Sequence, residues 1–370
     1  MKKYDIAAYI WPSYTGDEPR SRIFWPEGYG EWETVKNSKS KCDRHVWPRK
    51  PLWGYVNEAD PFVMEMEIEA AAAHGVNVFI YDWYWYDNRP FLEQCLDNGY
   101  LKARNNDKVK FYIMWANHPC SMLWDRRQAG LDVKVWDAIT DFEVFKTIAD
   151  RMVNMYFTHP SYYKIDGKPV FMIYLIHKFI QDLGGVENAK KAMEYMNNAA
   201  IKAGLPGIHW QAHYLNSFKK ARPDANFDGT TIDILKYLGF DSSTIYQFAA
   251  SVDMNRPYPD VLKDAKIIRD RFSSETDIPF FPHVSLGWDT NPRFPEFLDR
   301  ITTDTTPENI KKAFVEVKKY VDNHPELPVP LITVNSWNEW TESSYLQPDD
   351  INGYGYLKAL KEVFVDGIEE

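Results

Sequence analysis

The stretch LITVNSWNEWTESSYLQPD, residues 331–349, decides how this chain is read. Leu331–Asn335 is a short apolar run in which Ile332 and Val334 point one way and Thr333 and Asn335 the other, which predicts a strand. Directly behind it come two carboxylates, Glu339 and Glu342, set among Trp337, Asn338 and Trp340. When polar and aromatic groups collect just past a strand's C-terminal end, the strand reads as part of a parallel α/β barrel, because that is where such barrels place their active sites.

Working outward, seven more β-rich runs lie upstream: Asp5–Ile10, Val76–Asp82, Val109–Trp115, Pro169–Tyr174, Gly207–Gln211, Ser242–Tyr246 and Ile278–Val284. Segments with helical period separate many of them, at Asp60–His74, Phe142–Phe157, Val186–Ala203, Pro259–Phe272 and Thr306–Asn323. The last opens with Thr-Pro-Glu, which supplies a cap and a proline at the first helical position. Eight strands alternating with helices predict a closed (β/α)8 TIM barrel with long βα loops. The predicted boundary is one domain over residues 1–370. A Pro-, Gly- and Trp-rich β1–α1 loop runs from about 12 to 58, and within it Glu31 and Trp32 are candidates to cover a cleft.

The composition narrows the function. The net charge of −10 comes with no basic stripe, so a nucleic-acid partner is not expected. Three cysteines without C-x-x-C spacing argue against a disulfide framework and a structural zinc site. No apolar run reaches spanning length and no signal-peptide h-region is visible. The expectation is a soluble protein, cytoplasmic if the chain begins as translated and periplasmic or secreted if a signal peptide has been removed. No G-x-G-x-x-G, P-loop or G-x-S-x-G pattern occurs, so neither a nucleotide cofactor nor a serine nucleophile is expected. Aromatic residues make up 16%, and many stand beside Gly, Pro, Asn and Asp, as in YDWYWYDN, where a ring serves better as a stacking surface than as core.

Period-two alternation assigns faces. It aligns Ala7, Tyr9 and Trp11 in the first strand, and Val78, Ile80, Asp82 and Tyr84 in the second. Phe111, Ile113, Trp115 and Asn117 align in the third, His209, Gln211 and His213 in the fifth, and Thr333, Asn335 and Trp337 in the eighth. These faces are expected to look inward.

Glu339 and Glu342 are the candidate catalytic pair. If the chain turns helically, positions three apart share a face with Cβ atoms ~5–6 Å apart. Glycosidic cleavage commonly uses two carboxyl groups of unequal pKa flanking the scissile bond. The plainer alternative is a helix N-terminus, where Glu is favoured by the dipole. Asn338 is a candidate hydroxyl ligand, and Trp337 and Trp340 are candidate stacking faces.

The segment WNEWTESSYLQPD resembles the signature of glycoside hydrolase family 99-like proteins, including the WbsX-type glycosyltransferases. GYGEWETVK, RKPLWGYVNEADP, IYDWYWYDN, IMWANH, IDGKPVFMIY, PHVSLGWDTNPR and GYGYLKAL carry the resemblance in the same order over nearly the whole chain. It implies a (β/α)8 barrel and a metal-free, endo-acting, retaining attack on α-mannosidic linkages. In that mechanism the sugar's own 2-hydroxyl displaces the leaving group through a 1,2-anhydro sugar. Carried over, Glu339 is the base for the 2-hydroxyl and Glu342 the general acid/base. Tyr9 matches a first-strand Tyr, and Tyr246 is a candidate for a Tyr near the cleaved sugar. Two positions depart from the pattern: His118 stands where Glu is commoner, and Ser343 where Gly is usual.

Further candidates for substrate contact are Asp82, Tyr84, Trp115, Asn117, His213, Trp288 and Asp289. Each also has a structural reading. Asp82 can cap a loop, Asn117 can be a turn residue, and Asp289 can make an Asx turn beside a loop-closing Trp288. HWQAH, residues 209–213, lacks the Glu of a zinc-protease motif and lies on a predicted strand, so His213 reads as a sugar contact and no metal is expected. The expected partner is an oligosaccharide or polysaccharide. A WbsX-type glycosyltransferase and a non-catalytic carbohydrate-binding barrel are the alternatives. A transferase usually needs a donor site for a nucleotide sugar or lipid-linked sugar, and no diphosphate-binding feature is present. A binding barrel could dispense with the paired Glu.

Overall fold

The computed structural model describes residues 4–129 and 133–368. Eight strands form its central sheet: β1 (Asp5–Ile10), β2 (Val78–Tyr86), β3 (Lys110–Trp115), β4 (Lys168–Ile173), β5 (His209–His213), β6 (Ser242–Thr244), β7 (His283–Ser285) and β8 (Leu331–Asn335). They are parallel neighbours in the order β6-β5-β4-β3-β2-β1-β8-β7. The two ends meet where Ser243 N donates to Pro279 O at 2.9 Å and Phe281 N donates to Ser243 O at 2.8 Å. This is the predicted (β/α)8 barrel.

Helices Pro61–Ala73, Phe142–Arg151, Val186–Lys202, Thr231–Leu238, Tyr258–Glu275, Pro307–Asp322 and Gly355–Lys361 are interleaved with the strands along the chain. Their starts follow the local chemistry. Asp60 accepts from Phe62 N at 2.9 Å ahead of Pro61, and Thr306 accepts from Asn309 N at 3.3 Å ahead of Pro307. Among the described residues no helix is long and apolar enough to cross a membrane.

Strand register fixes which side chains look inward. Tyr9 pairs with Ile80, Ile80 with Tyr112, Asp82 with Met114, Met114 with Met172 and Met172 with Gln211. The interior therefore holds Tyr9, Asp82, Tyr112, Met114, Met172, Gln211 and His213. Polar residues there are paired: Tyr112 OH donates to Gln211 Oε1 at 3.0 Å, and Thr244 and Thr333 hydroxyls meet at 2.8 Å.

This register corrects the third strand. Phe111, Ile113 and Trp115 face the helices, with Trp115 packed on Phe145 and Phe179 at ring distances of 5.9 and 6.1 Å. Residues Val109 to Trp115 are apolar on both faces except for Lys110, so alternation had no marker to say which face is inside. Trp337 is corrected too. Its ring lies against Phe79 and Trp53, and its Nε1 donates to Glu67 Oε2 at 2.7 Å on the helix side. β8 ends at Asn335, so alternation carries no meaning two residues further on.

Candidate active site

Past β8 the chain folds back on itself. Asn338–Glu339 pairs antiparallel with Ser344–Tyr345, and Trp340–Glu342 makes a single 3-10 turn between them. In such a turn, positions three apart nearly eclipse, so Glu339 and Glu342 are brought to one side. The turn closes at Ser343 in the left-handed region, φ 55°, the conformation that makes Gly usual there. Ser336 fixes the entry: its Oγ accepts from Glu339 N at 2.7 Å and donates to Ser344 O at 2.6 Å. Across the turn, a Cβ at Gly287 would stand 2.6 Å from Ser343 O, so the backbones touch only because that residue is Gly.

Arg293, from the loop after β7, organises the two acids. Its Nη1 donates to Glu342 Oε1 at 2.7 Å, its Nη2 to Glu339 Oε1 at 3.2 Å and its Nε to Glu31 Oε1 at 3.0 Å. One cation therefore serves three carboxyls. Like charges about 4 Å apart repel by ~4 kcal/mol at an effective dielectric near 20, about a thousandfold in ionisation. A single guanidinium does not cancel this for three acids, so at least one keeps its proton near neutral pH. Burial and the neighbouring Glu339 push Glu342 up to about 8. Burial also raises Glu339, but Arg293 and the Tyr246 hydroxyl act against it. Glu342 Oε2 is buried without a partner, as suits the protonated member.

Opposite Arg293, the Tyr246 hydroxyl lies 2.6 Å from Glu339 Oε2 and 2.9 Å from Asp82 Oδ2. Burial and repulsion from Glu339 hold the Asp82 carboxyl well above the usual carboxylate range. The phenol has one proton for two acids, so an Asp82 that keeps its own proton can donate to the phenol oxygen while the phenol serves Glu339. Tyr9 supports this chain from below, with its ring edge-on to Tyr246 at 4.8 Å and its hydroxyl donating to Ile245 O at 3.2 Å.

Aromatic and imidazole rings continue the site outward. His213 stacks on Tyr174 at 4.5 Å and 7°, with Nε2 buried and unpartnered. Burial lowers His213 to about 4, so it is neutral at physiological pH. Tyr84 meets Trp11 and His118 edge-on at 5.6 Å each. His118, Tyr174, Tyr246 and Trp288 are only half-buried. Glu339 and Glu342 are 4% and 8% exposed, so both acids are recessed.

The structure thus brings Tyr9, Asp82, Tyr84, His213, Tyr246, Glu339 and Glu342 together. Other candidates hold partners elsewhere. Asn117 donates to Leu175 O at 3.0 Å and accepts from Leu175 N at 2.7 Å. Asn338 brackets Trp11, accepting from its N at 2.8 Å and donating to its O at 2.9 Å, and also donates to Glu58. Asp289 accepts from Asn291 N at 3.0 Å in an Asx turn and from Trp47 Nε1 at 3.2 Å, with His45 Nε2 at 3.0 Å. Each polar side-chain atom of these three already has a partner within the protein, and the rings of Trp115 and Trp337 are buried. Trp340 is structural, stacked on Tyr345 at 3.9 Å with its Nε1 donating to Gln347. Sequence reasoning missed Arg293 and Tyr174. Arg293 ends the PHVSLGWDTNPR stretch, which was read for its Trp and Asp.

The family model described as Glycosyltransferase WbsX matches residues 6–360. Two curated relatives, the uncharacterized protein WxcX of two strains of Xanthomonas campestris pv. campestris, are 26% identical over 348 residues. The match covers 93% of this chain and 47% of theirs, so the chain spans about half their length. Among solved structures, the GH99 endo-α-mannosidase from Bacteroides thetaiotaomicron aligns with TM-score 0.57 at 14% identity, covering 99% of this chain and 98% of that one. A glycoside hydrolase-like protein aligns with TM-score 0.60 at 15% identity, covering 98% and 94%. At these identities the likeness is one of fold.

Proposed function

The chain belongs to the Glycosyltransferase WbsX family, and from that membership and its carboxyl pair we propose that it is a carbohydrate-active enzyme that hydrolyses 1,2-trans glycosidic bonds, α-mannoside-like or related, in a complex glycan. The observation that carries this reading is the unequal state of two acids on one guanidinium. Glu342 is raised to about 8 and has a free oxygen, whereas Glu339 receives both Arg293 and Tyr246. One proton donor and one proton acceptor side by side are what acid–base cleavage of a glycoside requires.

The reaction uses these groups in two steps. Glu339 takes the proton of the sugar's 2-hydroxyl, whose oxygen attacks C1. The bond from C1 to the leaving oxygen breaks, and that oxygen takes the proton of Glu342. Water then gives its proton to Glu342 and attacks C1, the C1–O2 bond opens, and O2 recovers the proton from Glu339. Two inversions give net retention. Tyr246 and Asp82 hold Glu339 in place, and Tyr9, Tyr84, His213 and the half-buried Trp288 are the proposed sugar contacts.

The family's description favours a second reading, transfer from an activated sugar, and one experiment separates the two. Wild type and Glu342→Gln are incubated with a panel of α-mannosides, α-rhamnosides and β-glucosides, and in parallel with nucleotide sugars and an acceptor. Hydrolysis predicts new reducing ends with wild type alone. Sugar transfer from the nucleotide, unaffected by Glu342→Gln, would replace this reading.

A further inference from the structure

A second pair of acids lies behind the first. Glu58, from the β1–α1 loop, and Glu67, from helix Pro61–Ala73, are both fully buried. Among the described residues, the side chains that hydrogen-bond to them are all neutral: Asn338, Gln347, Cys95 and Trp337. Gln347 Nε2 bridges them, donating to Glu58 Oε1 and to Glu67 Oε2 at 3.1 Å each. Around that bridge the donors are unequal. Glu58 also receives Asn338 Nδ2 on both oxygens, at 3.1 and 2.9 Å, and the Cys95 thiol at 3.8 Å. Glu67 also receives Trp337 Nε1 at 2.7 Å on Oε2, while its Oε1 has no partner.

Two buried carboxylates with only neutral donors between them cannot both ionise at modest cost. Donors decide where the charge rests, because hydrogen bonds to a carboxylate favour its ionised form. Glu58 has three donor groups and no free oxygen, whereas Glu67 has two and one free oxygen. Burial raises both acids and Glu67 repels Glu58 further; repulsion between two charges is mutual, so it forbids double ionisation without choosing which acid keeps the proton.

The pair grips the catalytic segment directly. Trp337 hangs on Glu67, Asn338 on Glu58, and Trp340 donates to the bridging Gln347 at 2.7 Å. These are the residues on either side of Glu339. Resting on the reading that Glu339 is the catalytic base, we propose that Glu58 and Glu67 work as one acid pair, ionised at Glu58 and protonated at Glu67, that positions Glu339 through Asn338. Both are positioning residues.

The arrangement makes the two amide substitutions unequal. In Glu67→Gln the carbonyl oxygen takes the place of Oε2 and the amide nitrogen that of Oε1, which mimics the protonated acid. In Glu58→Gln an NH2 group is forced against Asn338 Nδ2, Gln347 Nε2 or the Cys95 thiol, all of them donors. Infrared difference spectra at neutral pH should show a buried carboxylic-acid band lost in Glu67→Gln and kept in Glu58→Gln. Crystal structures should show Glu339 displaced from Tyr246 in Glu58→Gln and unmoved in Glu67→Gln. On a cleaved glycan, Glu58→Gln should lower kcat about a hundredfold with KM little changed, because misplacement by about 1 Å costs that much. Glu67→Gln should stay within a fewfold of wild type. If Glu58→Gln fails to fold, Glu58→Asp keeps the charge one methylene further back and should show the same displacement and loss on a smaller scale. Loss of the acid band in Glu58→Gln, an unmoved Glu339 in its structure, or equal effects of the two amides would overturn the proposal. A wild type that cleaves no glycan, with the spectra and structures as expected, would refute the hydrolase reading and leave the acid pair standing.

Discussion

Arg293 holds one oxygen of Glu342 at 2.7 Å and leaves the other, Oε2, buried without a partner. A buried carboxyl so placed keeps its proton cheaply and can hand it to a leaving group. Glu342→Gln should therefore abolish turnover of an unactivated glycan while preserving binding, since it removes the proton and keeps the shape. General acid catalysis contributes ~10²–10⁴-fold, and an activated aryl leaving group should restore much of the cleavage step. Wild-type rates on the natural glycan would refute the assignment.

The same group sets a pH dependence. Glu342 moves from an ordinary 4.5 to about 8 in the folded protein, so the folded state binds its proton more tightly than the unfolded chain does. Its contribution to stability is complete below about 4.5 and is lost as pH rises towards 8. Denaturant unfolding across that window should show stability falling with pH, and Glu342→Gln should flatten the slope. The alkaline limb of kcat/KM should also centre near 8, where the acid loses its proton.

Arg293→Met should unmask the repulsion that the guanidinium now relieves among Glu31, Glu339 and Glu342. Removing one partner of a buried ion pair typically costs ~3–5 kcal/mol. Without the cation Glu339 and Glu342 lose the charge that lowers their pKa values, so their ionised forms become costlier and the loss should be larger at pH 8 than at pH 5. Urea titrations at both values measure it, and an equal loss at both would contradict the charge argument.

Tyr246→Phe removes the hydroxyl shared by Glu339 and Asp82. An unsatisfied buried acceptor costs ~1–3 kcal/mol, so kcat/KM should fall about ten- to a hundredfold, and the acid limb should move to higher pH because Glu339 ionises less readily. Asp82→Asn should cost far less, because the amide can donate to the phenol oxygen as the protonated acid does. Equal losses in the two variants would break the proposed proton chain.

The sequence carried the barrel well where one face of a strand was marked. Asp5–Ile10 and Leu331–Asn335 were read to the residue, helped by Thr333 and Asn335 standing against Ile332 and Val334. The seventh strand was read as Ile278–Val284 but is only His283–Ser285, since Pro279 and Pro282 have no N–H to give a ladder. Lys110–Trp115 shows the opposite difficulty, with apolar residues on both faces and no signal for the inner one. At the site, Glu339 and Glu342 were legible because they follow a strand three residues apart. Arg293, Glu58 and Glu67 were not, because each matters only for what folding sets against it. Asp289 and Asn117 look like ligand-binding residues in one dimension, and only the fold shows the loop-tying hydrogen bonds that each of them makes.

The most direct test of the central claim, that Glu339 acts on the sugar's own 2-hydroxyl while Glu342 protonates the leaving oxygen, is a matched pair of substrates. A glycan found to be cleaved is compared with its 2-deoxy analogue, which keeps the leaving group and lacks only the internal nucleophile. Carboxyl separation is no guide here, since the windows that distinguish retaining from inverting enzymes presume attack by carboxylate or water. The account predicts that the parent is cleaved with retention, that no glycosyl-enzyme adduct is seen by mass spectrometry, and that the 2-deoxy analogue survives intact. Efficient hydrolysis of the analogue would contradict it.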